Sequence, residues 1–162
     1  MKSFHINSPL LESLPLSREL GKPVLLKMDA LQPAGSFKIR GIGNLCQKAV
    51  ANGATHFVSS SGGNAGIATA YSGYMLQTKV TVVVPKSTTP VMIEKLRQLN
   101  AHVVVEGDVW DEAHKIALEI CEKDNATYVH PFDDPLLWQG HSSLIDEIVA
   151  ENIKPGAIAV SV

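Results

Sequence analysis

The sequence predicts an α/β fold built on a parallel sheet. Short runs rich in β-branched residues alternate with longer stretches of helical periodicity along the chain. The run Val80–Val84 is apolar or β-branched at every position, which is typical of a strand covered by helices on both faces. Strands that alternate with helices form right-handed βαβ units, and such units build a parallel sheet.

Six strands and five helices follow from these patterns. The strands are expected at Val24–Met28, His56–Ser59, Val80–Val84, His102–Val105, Thr127–Val129 and Ala157–Val162. The helices are expected at Phe37–Ala51, Asn64–Leu76, Pro90–Leu99, Asp111–Lys123 and Gly140–Glu151. Pro90 suits a first helical turn, Asp111 and Lys123 suit the two ends of a helix dipole, and His141 is expected to open the last helix.

Length and composition describe one globular domain of ordinary size. Of the 162 residues, 45% are hydrophobic and 19% are charged, and the formal net charge is −2. There is no basic excess, so neither nucleic acid nor an anionic membrane is an expected partner. The apolar runs are too short to span a bilayer, and the N-terminus lacks an apolar signal core. Cys46 and Cys121 lie in helical patterns and indicate buried thiols of a reducing compartment, the cytoplasm.

Lys38 is the most informative residue, within Gly35-Ser36-Phe37-Lys38-Ile39-Arg40-Gly41. It lies just inside a predicted helix start, where the positive end of the helix dipole favours the neutral amine. A neutral amine can condense with an aldehyde to form a Schiff base. Lys38 is therefore a candidate nucleophile for carbonyl chemistry.

A glycine-rich motif, Ser59-Ser60-Ser61-Gly62-Gly63-Asn64-Ala65-Gly66, ends one predicted strand and opens the next helix. Free backbone N–H groups at such a helix start can bind a carboxylate. The turn alone would also fit a Rossmann-like nucleotide module, but it is not Gly-x-Gly-x-x-Gly and no acidic residue follows at the spacing that a ribose needs. An amine nucleophile together with a carboxylate site is the minimum for amino-acid chemistry on pyridoxal phosphate.

Two further polar groups have ordinary structural explanations. Asp108, Asp111, Glu112 and His114 form the one cluster that resembles a metal site, but acidic residues at a helix start usually offset the dipole, so no metal is predicted. A turn-rich loop carries His130, Asp133 and Asp134, and we interpret these residues as structural rather than catalytic.

Both motifs resemble those of the serine/threonine dehydratase branch of the pyridoxal-phosphate enzymes in the tryptophan-synthase-beta group. The resemblance extends along nearly the whole chain and takes in Lys27-Met28-Asp29, Gln32-Pro33, Ser87-Thr88-Thr89-Pro90, Pro131-Phe132-Asp133-Asp134-Pro135, and Trp138 with Gly140-His141. Cysteine and threonine synthases of the group typically carry Asp directly after the lysine. This chain has Ile39 there, which favours the dehydratase/racemase branch.

The resemblance implies a role for each motif residue. Lys38 would hold the cofactor and act as the catalytic base, Phe37 would lie against its ring, and Asn64 would bond a ring oxygen. The substrate carboxylate would be held by Ser61, Gly62, Asn64 and Ala65. The implied activity is that of an ammonia-lyase converting the small amino acid L-serine to a 2-oxo acid and ammonia, with L-threonine left open. A serine racemase and a non-catalytic fragment remain the alternatives.

The resemblance also implies two domains. Residues 1–34 would belong to a large domain, residues 35–135 would form a small α/β domain, and residues 136–162 would re-enter the large domain. The family's glycine-rich phosphate loop, the side chain facing the pyridine nitrogen and the monovalent-cation ligands have no counterpart in these 162 residues. We therefore expect this chain alone to be impaired, and to form a homodimer or to pair with a C-terminal segment.

Overall fold

The computed structural model describes residues 2–160. Its strands are β1 Leu10–Glu12, β2 Leu25–Lys27, β3 His56–Ser59, β4 Lys79–Val84, β5 His102–Val105 and β6 Thr127–Tyr128. Its helices are α1 Leu14–Leu20, α2 Lys38–Ala51, α3 Asn64–Leu76, α4 Pro90–Gln98, α5 Trp110–Asp124, α6 Pro135–His141 and α7 Ser143–Ala150, with a 3-10 helix at Asp29–Leu31. Across residues 2–160, every helix is too short or too polar to cross a membrane.

Four of the strands form a parallel sheet in the order β5-β4-β3-β6, which confirms the predicted α/β class. Phe57 of β3 pairs with Val80 of β4 on one side and with Thr127 of β6 on the other. Consecutive strands are joined through α3, α4 and α5. Because parallel strands point the same way, the loops that follow β3, β4 and β6 all lie at one edge of the sheet.

Helices cover both faces of the sheet, as the apolar strand pattern predicts. On one face the larger cluster contains fully buried side chains from α2, β3, β4, α4 and α6, namely Ile39, Ile42, Phe57, Val82, Leu96 and Leu137. On the other face Val58 and Val83 pack against Ala113 and Ala117 of α5. Burying a large aliphatic or aromatic side chain contributes about 1.5–3 kcal/mol. Burial on both faces therefore stabilises the sheet that carries the loops at its edge.

The predicted helix Gly140–Glu151 is wrong, because two helices, α6 and α7, occupy this region. Helix α6 begins after Asp134, whose carboxylate accepts a hydrogen bond from the Leu136 amide at 2.7 Å. His141 is the last residue of α6 and does not open a helix.

Serine hydroxyls explain the break between α6 and α7. Ser142 Oγ donates to the Gln139 carbonyl and Ser143 Oγ donates to the Gly140 carbonyl, each at 2.8 Å. Such bonds compete with the backbone ladder of a helix. A Cβ at Gly140 would press on the backbone of Gly41, so the glycine lets α6 pack closely against α2. This packing places His141 beside the start of α2.

The two ends of the chain depart from the predicted elements. Strand Ala157–Val162 is not formed over residues 157–160, which have no strand partner among the described residues, and residues 161–162 lie outside them. A parallel strand needs a neighbour for its backbone groups. At the other end, β1 and β2 form an antiparallel pair with Leu11 opposite Leu26, and α1 connects them. Sequence patterns did not predict β1 or α1.

Candidate functional site around Lys38

Lys38 is the first residue of α2, one position after the predicted helix start at Phe37. Its Nζ donates a hydrogen bond to the backbone carbonyl of Pro131 at 2.9 Å. Among residues 2–160, no carboxylate lies within ion-pair distance of this amine. The side chain is partly buried, and burial without a counter-charge lowers the pKa of Lys38 below its usual value. More of the amine is therefore neutral than in a surface lysine.

Phe37 and His141 line the same region. The Lys38 Nζ lies 5.0 Å from the centroid of the Phe37 ring, and that ring lies 5.2 Å from the His141 ring. Burial, and then the charges of Lys38 and Arg40, lower the pKa of His141 to about 4, so the imidazole is neutral at neutral pH. Two buried polar atoms here, Ser36 Oγ and His141 Nδ1, have no hydrogen-bond partner within the described part of the chain.

The glycine-rich turn leaves backbone donors free. Helix α3 begins at Asn64, and its N-cap residue Gly63 has no side chain that could cap it. Over residues 2–160, the amides of Asn64, Ala65 and Gly66 find no acceptor, and the helical ladder starts with the Ile67 amide, 3.1 Å from the Gly63 carbonyl. Three free amides at the positive end of a 13-residue helix suit an anion.

At two glycines of this motif a Cβ atom would come too close to neighbouring atoms. A Cβ at Gly66 would fall on the Ser61 carbonyl oxygen, so glycine allows the helix to start this close to the strand end. A Cβ at Gly62 would lie 2.9 Å from Thr88 Cγ2 and 3.3 Å from Val84 Cγ1. Gly62 therefore faces the loop after β4, and Thr88 is a neighbour that sequence reasoning missed.

The Lys38 amine and the glycine-rich turn are both tied to the end of β6. Pro131, the acceptor of Lys38, follows β6. Ser60, within the glycine-rich motif, hydrogen-bonds through its hydroxyl to Tyr128 OH at 2.7 Å. Tyr128 OH also lies 2.8 Å from His114 Nδ1. Neither Tyr128 nor the Pro131 carbonyl was predicted to belong to the site. For Pro131 the reason is that any residue has a backbone carbonyl, so residue type gives no signal.

Arg40, in the first turn of α2, forms ion pairs with residues of the two outer segments of the chain. Its buried guanidinium bonds both carboxylate oxygens of Asp29 at 2.8 Å and both of Glu147 at 2.7 and 2.9 Å. Lys27 Nζ is 2.6 Å from Glu147. Burial alone would raise the pKa of Asp29, but the hydrogen bonds from Arg40, Ser8 and Gln32 outweigh it and lower that pKa to about 2. The network joins the N-terminal segment, α2 and α7.

The acidic residues at the start of α5 serve local structure. Glu112 Oε2 accepts the Asp108 amide at 2.7 Å, and Asp108 pairs with Lys86 at 2.9 Å. The ring of His114 stacks on Trp110 with centroids 4.9 Å apart. Over the described residues, no group of three or more His, Cys, Asp or Glu side chains could hold a metal ion.

The donor set at Lys38 fits pyridoxal phosphate. A desolvated amine without a counter-ion can condense with the cofactor aldehyde, and the Phe37 ring can lie against the face of the cofactor ring. Ser36 Oγ and His141 Nδ1, which have no hydrogen-bond partner among the described residues, could bind polar atoms of the cofactor. The free amides of the Asn64 turn suit the carboxylate of an amino acid. Both requirements of amino-acid chemistry on this cofactor are therefore present at one edge of the sheet.

Comparison with known proteins also points to pyridoxal phosphate. The family model of pyridoxal-phosphate dependent enzymes matches residues 1–162. L-serine dehydratase of Dictyostelium discoideum is 53% identical over 154 residues, which cover 89% of this chain and 44% of that protein. L-serine dehydratase/L-threonine deaminase of Mus musculus is 49% identical over 164 residues, which cover 99% of this chain and 50% of that protein.

A solved structure agrees with the sequence relatives. The crystal structure of a fungal L-serine ammonia-lyase from Rhizomucor miehei superposes with a TM-score of 0.87 at 35% identity, covering 93% of this chain and 48% of that one. The chain spans about half the length of the curated relatives it matches. The resemblance inferred from the two sequence motifs is thereby confirmed, and the chain belongs to the pyridoxal-phosphate dependent enzyme family.

Proposed function

We propose that the protein is an ammonia-lyase that uses pyridoxal phosphate to convert L-serine, and L-threonine as a second substrate, to a 2-oxo acid and ammonia. The observation that carries this proposal is the Lys38 amine, which is desolvated and held by a backbone carbonyl without a nearby carboxylate among the described residues. The names of the related dehydratases, deaminase and ammonia-lyase support the same reaction.

Each site residue would have one task. Lys38 would bind the cofactor aldehyde and, once released, take the α-proton of the substrate on Nζ, because its lowered pKa favours the neutral amine. Phe37 would contact one face of the cofactor ring, and Asn64 would hydrogen-bond its ring oxygen. Pyridoxal phosphate, when bound, supplies an electron sink for the bond that breaks at the substrate Cα.

The Ser61–Ala65 turn would orient the substrate. The amides of Asn64 and Ala65 would bind its carboxylate at the helix start, with Ser61 and Gly62 completing the surface around it. Holding the carboxylate fixes which bond at Cα points toward the Lys38 amine. Orientation of this kind is a main contribution that a protein makes to cofactor chemistry.

The domain division is part of the proposal. Residues 35–135 carry the parallel sheet and would form the small domain, whereas residues 1–34 and 136–162 would lie together in the large one. The ion pair of Lys27 with Glu147 at 2.6 Å supports this, because it joins the two outer segments directly. We further propose a homodimer, or pairing with a C-terminal segment. The free thiols Cys46 and Cys121 suit the cytoplasm and a role in amino-acid metabolism there.

Borohydride trapping tests the proposal directly. The chain is incubated with pyridoxal phosphate and reduced, alone and mixed with the C-terminal half of the Dictyostelium relative, and the labelled peptide is identified by mass spectrometry. Label is expected on Lys38, and it should disappear in Lys38→Ala but persist in Lys95→Met, a surface control on α4. Pyruvate release from L-serine is measured in parallel. Label on Lys27 or Lys48 would contradict the assignment, and D-serine without pyruvate would indicate a racemase.

A further inference from the structure

We propose that His130 is a positioning residue for Lys38, because its ring nitrogen fixes the orientation of the peptide group whose carbonyl holds the Lys38 amine. His130 Nδ1 accepts two backbone hydrogen bonds, from the amides of Phe132 at 3.2 Å and Asp133 at 2.8 Å. Lys38 Nζ donates to the Pro131 carbonyl of the same loop at 2.9 Å.

One planar peptide group links the two interactions. The Pro131 carbonyl and the Phe132 amide belong to the same peptide unit, in which a trans C=O and N–H point in opposite directions. When the Phe132 amide points at His130, the Pro131 carbonyl must point the other way, toward Lys38. Without an acceptor at His130 the peptide unit could rotate, and the amine would lose its partner.

The His130 ring is itself held in place. It lies edge-on against the Phe132 ring at 4.6 Å and against the Tyr128 ring at 5.9 Å. Tyr128 OH forms hydrogen bonds with Ser60 Oγ and with His114 Nδ1. The loop is thereby connected to β6, to α5 and to Ser60 of the glycine-rich motif.

Accepting two N–H groups requires that Nδ1 carry no proton. A protonated imidazole donates from both nitrogens, so it would place a donor against the two backbone donors. Burial lowers the pKa of His130 and the charges of His114 and Lys38 act in the same direction, while the carboxylates of Asp133 and Asp134 oppose them. The neutral form therefore dominates at neutral pH.

The sign of the pH dependence follows. Tyr128, the remaining titratable neighbour, has its pKa raised chiefly by burial and stays uncharged at neutral pH and below. As the pH falls below the ordinary histidine value of 6.5, His130 gains a proton and the loop loses both bonds. The importance of this loop for catalysis rests on the proposed role of Lys38, whereas the loop geometry does not depend on it.

The test uses the cofactor-free chain and two readouts. Amide hydrogen exchange, followed by NMR, gives protection factors for Phe132 and Asp133 from pH 8 down to the acid limit of the folded chain. Competitive acetylation gives the reactivity of Lys38 relative to the exposed Lys95. The variants are His130→Ala and His130→Asn. The Asn side chain offers an oxygen acceptor at the position of Nδ1 but does not titrate. His102→Ala, at an exposed site on β5, is the control.

His130→Ala should lower both protection factors about ten-fold or more at neutral pH and should raise the relative reactivity of Lys38 several-fold, whereas His130→Asn and His102→Ala should stay near wild type. Lowering the pH should reduce protection in the wild-type chain but not in His130→Asn. If His130→Ala does not fold, this comparison of pH profiles still decides the matter. Unchanged protection in His130→Ala, or equal pH profiles for wild type and His130→Asn, would overturn the proposal. No readout involves pyridoxal phosphate, so failure of the proposed function would be recognised separately.

Discussion

At the residue scale, Lys38 differs from a surface lysine through burial. From the sequence, the helix dipole is expected to favour the neutral amine, whereas desolvation is the cause that lowers the pKa of this amine in the structure. Its acceptor is a neutral carbonyl, which adds no charge to offset the desolvation. We therefore expect competitive acetylation of Lys38 to reach half its maximal rate at a lower pH than that of exposed Lys95. Equal midpoints for the two lysines would contradict this prediction.

Gly62 provides a second prediction at this scale. Gly62→Ala should lower the free energy of unfolding by about 1 kcal/mol, because the added methyl would lie 2.9 Å from Thr88 Cγ2 at a partly buried site. Adding Thr88→Ser, which removes that methyl, should restore part of the loss in urea denaturation. Gly156→Ala is the matched control, since a Cβ there meets no atom within 4 Å.

A double-mutant cycle decides whether Gly62 and Thr88 interact. The effects of substitutions at contacting residues commonly differ from additivity by about 0.5–3 kcal/mol, whereas the effects at independent sites add. Simple additivity of Gly62→Ala and Thr88→Ser would show that the strain lies elsewhere. If the proposed function holds, Gly62→Ala should also shift the preference between serine and threonine by roughly a few-fold to a hundred-fold.

At the scale of elements, the Arg40 network holds α2 to the N-terminal segment and to α7. Arg40→Met should lower the free energy of unfolding by about 3–5 kcal/mol, because it leaves the carboxylates of Asp29 and Glu147 largely buried without their main partner. Urea denaturation measures the change. Arg97→Met, on the exposed face of α4, should stay within about 0.5 kcal/mol of the wild type. Similar losses for both variants would mean that the network contributes little.

Asp29 gives this network a defined pH dependence. Its pKa is lowered from 3.8 to about 2 in the folded chain, so its stabilisation of roughly 2 kcal/mol is present above pH 4 and is lost as the pH falls toward 2. The difference in unfolding free energy between wild type and Asp29→Asn should therefore shrink between pH 5 and pH 3. A constant difference over this range would show that the Asp29 carboxylate does not titrate as the network requires.

Elements were predictable where local patterns determine them. The bounds of β3, β5 and α3 agree with the sequence prediction, because a β-branched run marks β5 and the glycine-rich motif marks the end of β3 and the start of α3. The break at Ser142 was not predictable, since it depends on how two hydroxyls turn toward preceding carbonyls. The Arg40 network was missed for another reason: Asp29 and Glu147 are 118 positions apart (147 − 29), and only the fold brings them to one guanidinium.

At the scale of the whole molecule, the N-terminal part of the chain exposes an apolar surface. Helix α1 has no buried residue, and Leu14 and Leu20 retain 60% and 64% of their accessible area. Leu11 and Leu26 of the β1–β2 pair are also exposed. Such surfaces usually mark a contact with another protein surface. We expect a second copy of the 162-residue chain to cover it in the purified protein.

Sedimentation velocity over a range of concentrations tests this expectation. Leu14→Gln combined with Leu20→Gln should weaken self-association about ten-fold or more, because each leucine contributes about 1.5–3 kcal/mol when buried and 1.4 kcal/mol is ten-fold in affinity. Val91→Gln, at a residue of α4 with 64% exposure, changes an equally accessible side chain and should have little effect. A C-terminal half of the Dictyostelium relative that binds the same surface should compete with self-association. A monomer at every concentration, or equal weakening by Val91→Gln, would show that α1 is not the contact.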